Sequence, residues 1–365
     1  MSIYFVILFI CFIAFYATKR ENKNLIFGFL IFLLFLIGAF RGLDVGTDLH
    51  GSYYEKYYHI SLNPASWEYG SEMEPGFCFY MAFLKKQIIN SYEFFYATSF
   101  FIFMSGMIFV IRRYSTNILL CLFFFVLFLH YTWAFNAIRQ AIAISLVAFT
   151  FPLLEDLKKY RIIIYELLII YITFRWHRTC IIFVILPLFL ISEVKTWLSN
   201  HRMQIMIIIA CSYAFVFLSS FLYKYTYYFA DYVSFLGSRY EGYANASVDT
   251  AKTRSVYTAL LQTAFALYVS YVVPKKYLGN IWYIMFAMGI IIMNFLGAFA
   301  ALFTRVAANY LFFDMLLLSF LWYRVPFKIQ NQFRFTVIMY GLIIFSNSML
   351  KNFGEVVPYY NWLFE

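Results

Sequence analysis

From Ile3 to Leu350 the chain alternates long apolar runs with short gaps that hold most of its Lys and Arg. A bilayer core about 30 Å thick takes roughly 20 apolar residues per helix, and windows of that kind recur along the whole sequence. The composition agrees: 64% of the 365 residues are hydrophobic and 13% are charged, against about 25% charged in a soluble domain. The expected fold is therefore an all-α polytopic membrane protein, one helical domain over residues 1–365. The segments of about 10 alternating residues that mark a transmembrane barrel are not seen. The net charge of +10 does not point to nucleic acid, because the basic residues punctuate the gaps between runs instead of clustering on a soluble face.

Those gaps set the topology. Lys19, Arg20 and Lys23 follow the first run, which has neither a basic leader nor a cleavage site, so the N-terminus is placed outside. Spans are then expected at 3–18, 24–40, 92–111, 117–134, 136–154, 162–174, 179–192, 203–222, 255–273, 281–301, 306–323 and 335–350. Residues 76–90, broken by Lys85, Lys86 and Asn90, read as an interfacial or re-entrant helix on the outer side. About twelve spans leave both termini outside, with outer loops over about 41–75 and 223–254. The inner gaps hold fifteen Lys/Arg against four Asp/Glu, and the outer positions thirteen against twelve. The five cysteines show no CxxC or zinc spacing. Topology permits one disulfide, Cys78 to Cys180.

Four polar constellations fall on the outer side. The first is Phe40-Arg41-Gly42-Leu43-Asp44-Val45-Gly46-Thr47-Asp48 with the run behind it to Glu74. Asp44 and Asp48 share a face if this loop turns helical, and a carboxylate there serves as general base or holds a cation. Its tyrosines line a sugar site or form an interfacial aromatic belt. The second is Asn136, Arg139 and Gln140, spaced i, i+3 and i+4 and so expected on one helical face. Ala137, Ala141 and Ala143 beside them permit close helix packing. The third is Arg175-Trp176-His177-Arg178, where two arginines disfavour the imidazolium and keep His177 a neutral proton acceptor. The fourth is Thr304-Arg305 with Asn309-Tyr310 one turn on. Asp314 lies nine residues beyond Arg305, roughly 13 Å along a helix, so it needs another partner or is protonated.

Guanidinium forks bind phosphate oxygens bidentately. Several arginines at one face of a bundle suit a diphosphate-linked lipid, holding the diphosphate and stabilising it as a leaving group. No metal or other cofactor is needed for this, since arginines supply the positive charge.

These pieces, in this order, resemble the EpsG/Wzy-type polysaccharide polymerases, a family of bacterial membrane glycosyltransferases. The matching residues are Arg41 with Gly46-Thr47-Asp48 and Tyr53 or Tyr54; Glu74-Pro75-Gly76-Phe77; Asn136 with Arg139-Gln140 and Ala143; His177 before Thr179; Arg305 with Tyr310; and Pro358-Tyr359-Tyr360. The resemblance implies a GT-C-like bundle in the bacterial plasma membrane with its site facing the periplasm or exterior. It implies joining of undecaprenyl-diphosphate-linked oligosaccharide repeat units, donor and acceptor alike, into O-antigen or a related surface polysaccharide, with a chain-length regulator as partner protein. Carried over by position, Arg139 and Arg305 hold diphosphate. Arg41, Asp48 and Glu74 shape the sugar site, with Asp44, Asn136, Gln140, Arg175, Arg178 and Tyr310 around it. His177 or Asp48 is the base. The arginines on both sides of His177 depart from the more apolar context expected there. An O-antigen ligase and a lipid-linked oligosaccharide flippase or other transporter are the competing readings. A ligase usually carries a much larger late outer loop than 223–254, and a transporter would carry charges deep in several helices.

Overall fold

The computed structural model describes residues 1–48, 53–64, 67, 73–218, 255–297 and 304–362. Among these the chain is helical and no strand occurs; one isolated bridge joins Arg41 to Asn361. The expected loop 223–254 and Glu72 lie outside the described residues.

The helices are α1 (Ser2–Ala17), α2 (Lys23–Ala39), α3 (Tyr54–His59), α4 (Pro75–Phe83), α5 (Tyr92–Tyr114), α6 (Ile118–Leu127), α7 (His130–Trp133), α8 (Ile138–Ala148) and α9 (Lys159–Arg175). After a 3-10 helix over Arg178–Ile185 come α10 (Leu186–Phe189), α11 (Ser192–Asn200) and α12 (Arg202–Phe217). The last are α13 (Val256–Val272), α14 (Ile281–Gly297), α15 (Thr304–Leu311), α16 (Asp314–Leu321) and α17 (Phe327–Leu350).

The long helix α5 shows how the sequence sets an element. The Ser91 side chain accepts from the Phe94 amide at 3.1 Å, Glu93 sits in the first turn, and Arg112 and Arg113 in the last. Each charge opposes the helix dipole at its own end. Its apolar residues face both ways: Phe103, Met107 and Val110 are buried, while Phe101 points outward.

Among the described residues four helices are long and apolar enough to cross a membrane: Arg20–Ala39, Tyr92–Tyr114, Thr304–Leu321 and Phe327–Leu350. The pair Arg178–Phe189 and Ser192–Asn200, bent by 86°, is a broken span or re-entrant loop, and six further apolar helices are shorter. The twelve continuous spans read from the sequence are thus only partly matched. The run 117–134 holds α6 and α7, separated where Leu129 turns left-handed at φ 66°. The run 136–154 starts its helix only at Ile138 and gives way to a 3-10 turn at Phe151–Leu154, which contains Pro152. The run 306–323 is matched by the span Thr304–Leu321, within which Phe312–Phe313 form a two-residue turn, whereas 179–192 bends beyond Pro187. Apolarity alone does not report these breaks, because the residues that make them are as apolar as their neighbours.

Helices α6 and α8 are the centre. Nine of ten residues of α6 and ten of eleven of α8 are buried; α6 is apolar on every side, as a buried helix is expected to be, whereas α8 buries Arg139, Gln140 and Ser145 as well. The outer helices α1, α2, α9, α12 and α17 carry Phe9, Phe29, Leu167, Phe174, Met203 and Phe335 more than half exposed. Apolar surface of that extent is the surface of a protein bathed in lipid.

The two ends of the bundle differ. At one, the basic gaps meet. Arg113 bonds Glu155 at 2.8 Å, Thr116 donates to the Ser319 carbonyl at 2.8 Å, Asn117 to the Tyr323 hydroxyl at 3.0 Å, and Arg202 to the Tyr271 carbonyl at 3.0 Å. At the other, the polar loop after α2 meets the start of α8. Cys78 and Cys180 are buried as free thiols, so the disulfide is not formed.

Candidate active site

The loop 40–48 is held from behind by the segment that follows α17. The Gly42 amide donates to the Tyr360 carbonyl at 2.9 Å, Gly46 to Glu355 at 2.9 Å, and Trp362 to Phe40 at 3.1 Å. Arg41 folds this loop from within. Its side chain is fully buried, with Nε donating to the Val45 carbonyl at 3.0 Å and Nη1 to the Gly38 carbonyl at 2.7 Å. The guanidinium lies over the rings of Phe135 at 4.1 Å and Tyr96 at 4.5 Å. The sequence suggested a sugar-facing Arg41; here the group points into the protein.

Asp44 and Asp48 do not share a face. Residues 42–46 form a turn closed by the Val45 amide on the Gly42 carbonyl at 3.0 Å. Asp44 is exposed, whereas Asp48 turns inward and accepts from the Ile138 amide at 3.1 Å. Ile138 opens α8, so the Asp48 carboxylate sits on a free helix N-terminus, where negative charge is favoured. Next to it, the Thr47 amide and hydroxyl both donate to Asn136 Oδ1, at 2.7 and 3.0 Å. Gly46-Thr47-Asp48 and Asn136 are thus two halves of one joint. Gly46 makes it possible: its φ is +97°, and a Cβ there would lie 2.7 Å from the Phe135 carbonyl oxygen. Gly46→Ala is expected to cost roughly 1–3 kcal/mol, read as a lower thermal midpoint of the purified protein. An unchanged midpoint would rule the joint out.

The expected polar face of Asn136, Arg139 and Gln140 is corrected. Asn136 precedes the helix, because Ala137 is non-helical at φ −151°, and the three side chains diverge. Arg139 donates from Nε to the Tyr53 hydroxyl at 2.8 Å and from Nη1 to Glu74 Oε2 at 2.7 Å. The side chains of this ion pair are 8% and 9% exposed. Glu74 also accepts from the Arg178 amide at 3.2 Å. Burial pushes the Glu74 carboxyl up, but Arg139 and His177 beside it outweigh that and hold it below the ordinary glutamate range. Two residues on, Gly76 lets α4 abut the end of α9, where a Cβ would lie 2.5 Å from the Arg175 carbonyl oxygen. The Glu74-Pro75-Gly76 motif therefore joins α4, α8 and α9. Arg175 itself is exposed and Arg178 half-buried.

Gln140 leads the other way. Its Nε2 donates to the Arg305 carbonyl at 2.6 Å and to Asn309 Oδ1 at 2.8 Å, and Asn309 Nδ2 donates to the Thr179 carbonyl at 2.8 Å. The Tyr310 hydroxyl donates to the Ile182 carbonyl at 2.5 Å. His177 is buried, with Nδ1 2.7 Å from the Thr179 hydroxyl and accepting from the Thr179 amide at 3.4 Å, so it caps the 3-10 helix. In a neutral ring that leaves the proton on Nε2, the arrangement of a donor. The four sequence-distant constellations thus meet around the N-terminus of α8.

Arg305 stands apart. It is half-buried, and its guanidinium makes no hydrogen bond or ion pair to any described residue. It lines a cavity of about 270 Å³ together with His130, Trp133 and Asp314. The sequence reading missed His130, and it missed Lys85. The Lys85 ammonium takes the Tyr57, Tyr58 and Ile60 carbonyls at 2.9, 2.5 and 3.3 Å, tying down the C-terminal end of α3.

Helices fit to cross a membrane, with a polar site gathered at the end away from the basic gaps, define a multi-pass membrane protein built around that site. The EpsG family model matches residues 24–361, nearly the whole chain, and the chain belongs to that family. No curated protein and no solved structure matches it.

Proposed function

We propose that the chain is a polysaccharide polymerase of the bacterial plasma membrane, a GT-C-like bundle of about twelve spans. It joins undecaprenyl-diphosphate-linked oligosaccharide repeat units on the exterior face. Family membership supports the polymerase class, since the EpsG family includes Wzy-type polymerases. The observation that carries the reading is the convergence on the start of α8. Residues 47–48, 74, 136–140, 177–179 and 305–310 form one hydrogen-bonded group there, at the end opposite the basic gaps. By the positive-inside rule that end faces out.

Arg305, whose guanidinium has no partner among the described residues, holds the donor's diphosphate, as a guanidinium fork does. The Arg139–Glu74 pair and Tyr53 form the adjoining wall, where carboxylate and hydroxyl oxygens meet sugar hydroxyls. Asp48, Asn136 and Arg41 fix the loop that closes it. In the reaction the growing chain leaves its lipid diphosphate and joins the sugar of the next lipid-linked unit. The test is reconstitution. Purified full-length chain is given the lipid-linked unit extracted from cells that lack it. A ladder of multiples is expected, and single units alone would refute the reading.

A further inference from the structure

Two breaks in the central helices meet at one point. The chain leaves α6 at Phe128 and turns left-handed at Leu129, which puts His130 at the head of α7. It leaves α15 at Leu311, which puts Asp314 at the head of α16. His130 Nε2 lies 2.7 Å from Asp314 Oδ1, and their side chains are 10% and 13% exposed. The imidazole packs on Phe312, from the second break, with ring centres 4.7 Å apart. Ionisable groups inside apolar runs are expensive and tend to face a cavity or a partner; this pair does both. Its cavity also carries Trp133 and Arg305, whose guanidinium has no partner among the described residues.

The orientation of the ring decides the chemistry. Asp314 accepts from Nε2–H, so the neutral imidazole carries its lone pair on Nδ1. That nitrogen makes no hydrogen bond to any described residue. A ring whose tautomer is set by a carboxylate and whose other nitrogen is open is the arrangement of a general base. His177, by contrast, has its Nδ1 engaged with Thr179, and Asp48 is engaged with the Ile138 amide.

We infer that His130 is the general base of the glycosyl transfer, that Asp314 is its positioning residue, and that the donor diphosphate sits on Arg305 in the same cavity. This rests on the polymerase reading above. The acceptor hydroxyl gives its proton to His130 Nδ1 as its oxygen bonds to the donor's anomeric carbon. The bond from that carbon to the diphosphate oxygen breaks, and the electron pair leaves with the diphosphate, opposite Arg305. The imidazolium then returns its proton to the released diphosphate. Trp133 offers the sugar an apolar ring face.

The experiment compares the wild-type chain with His130→Gln and Asp314→Asn, full-length and purified. It reads polymer formation from the extracted lipid-linked unit and binding of undecaprenyl diphosphate. His130→Gln is expected to lower kcat about 10²–10⁴-fold while KM and undecaprenyl diphosphate affinity stay within about threefold. Asp314→Asn is expected to lower kcat in the same way, since an amide donating to Nε2 reverses the tautomer. A His130→Gln chain that polymerises at the wild-type rate overturns the assignment alone. Loss of affinity in step with rate makes the pair structural and also overturns it. Absence of polymer from the wild-type chain sinks the polymerase reading, and this assignment with it.

Discussion

Glu74→Ala is expected to destabilise the protein by about 3–5 kcal/mol, the cost of breaking a buried ion pair by removing one partner. Arg139 is 7% exposed and lies on the central helix α8. Thermal unfolding of the purified chain reads the change. Replacing both partners, as Glu74→Leu with Arg139→Met, should recover most of that stability but no polymerisation, since the wall of the site is gone. Equal midpoints for Glu74→Ala and wild type would show that the ion pair is not formed. The pH dependence has a definite sign. A carboxyl held below its ordinary value contributes fully above the unfolded glutamate value near about 4.3. That contribution disappears as pH falls through the lower folded value. Acidifying to about pH 5 therefore leaves the pair intact.

Arg305→Ala and Arg41→Ala should fail in opposite ways, although both remove an arginine from a motif of the same family. The Arg305 guanidinium bonds nothing among the described residues, and its carbonyl, which Gln140 uses, survives the substitution, so Arg305→Ala should leave the amount of inserted protein and its midpoint unchanged. Polymer formation should fall about 10²–10³-fold, the effect of removing one donor from a developing negative charge. Arg41 holds two backbone carbonyls and lies between two aromatic faces, so its loss should remove the folded protein itself. Immunoblots of membranes beside polymer gels separate the two outcomes. An Arg305→Ala chain making polymer of normal length would refute its contact with the diphosphate.

The sequence located the segments that meet but not the atoms that touch. Arg41, Glu74, Arg139, Gln140, His177 and Arg305 were each picked out as polar residues beside apolar runs, and the structure gathers those segments at one end. Their orientations were not legible. Whether an arginine at a helix end faces water or a pair of rings depends on Tyr96 and Phe135, far from it in sequence. The face expected from Asn136 to Gln140 assumed a helix two residues longer than the one that forms. The breaks at Leu129 and Phe312–Phe313 carry no Gly or Pro to announce them. The His130–Asp314 pair, however, was within reach. An aspartate inside an apolar run calls for a partner, and of five histidines only His130 lies within such a run.

The segment 355–362 has a further consequence, in the order of synthesis. The loop 40–48 leaves the ribosome directly after α2, but the carbonyls of Glu355 and Tyr360 that hold its amides are made after α17. Through most of translation that loop waits at the membrane surface without these partners. The loop at the candidate site is therefore made early and held late, once residues 355–362 have been synthesised and have met it.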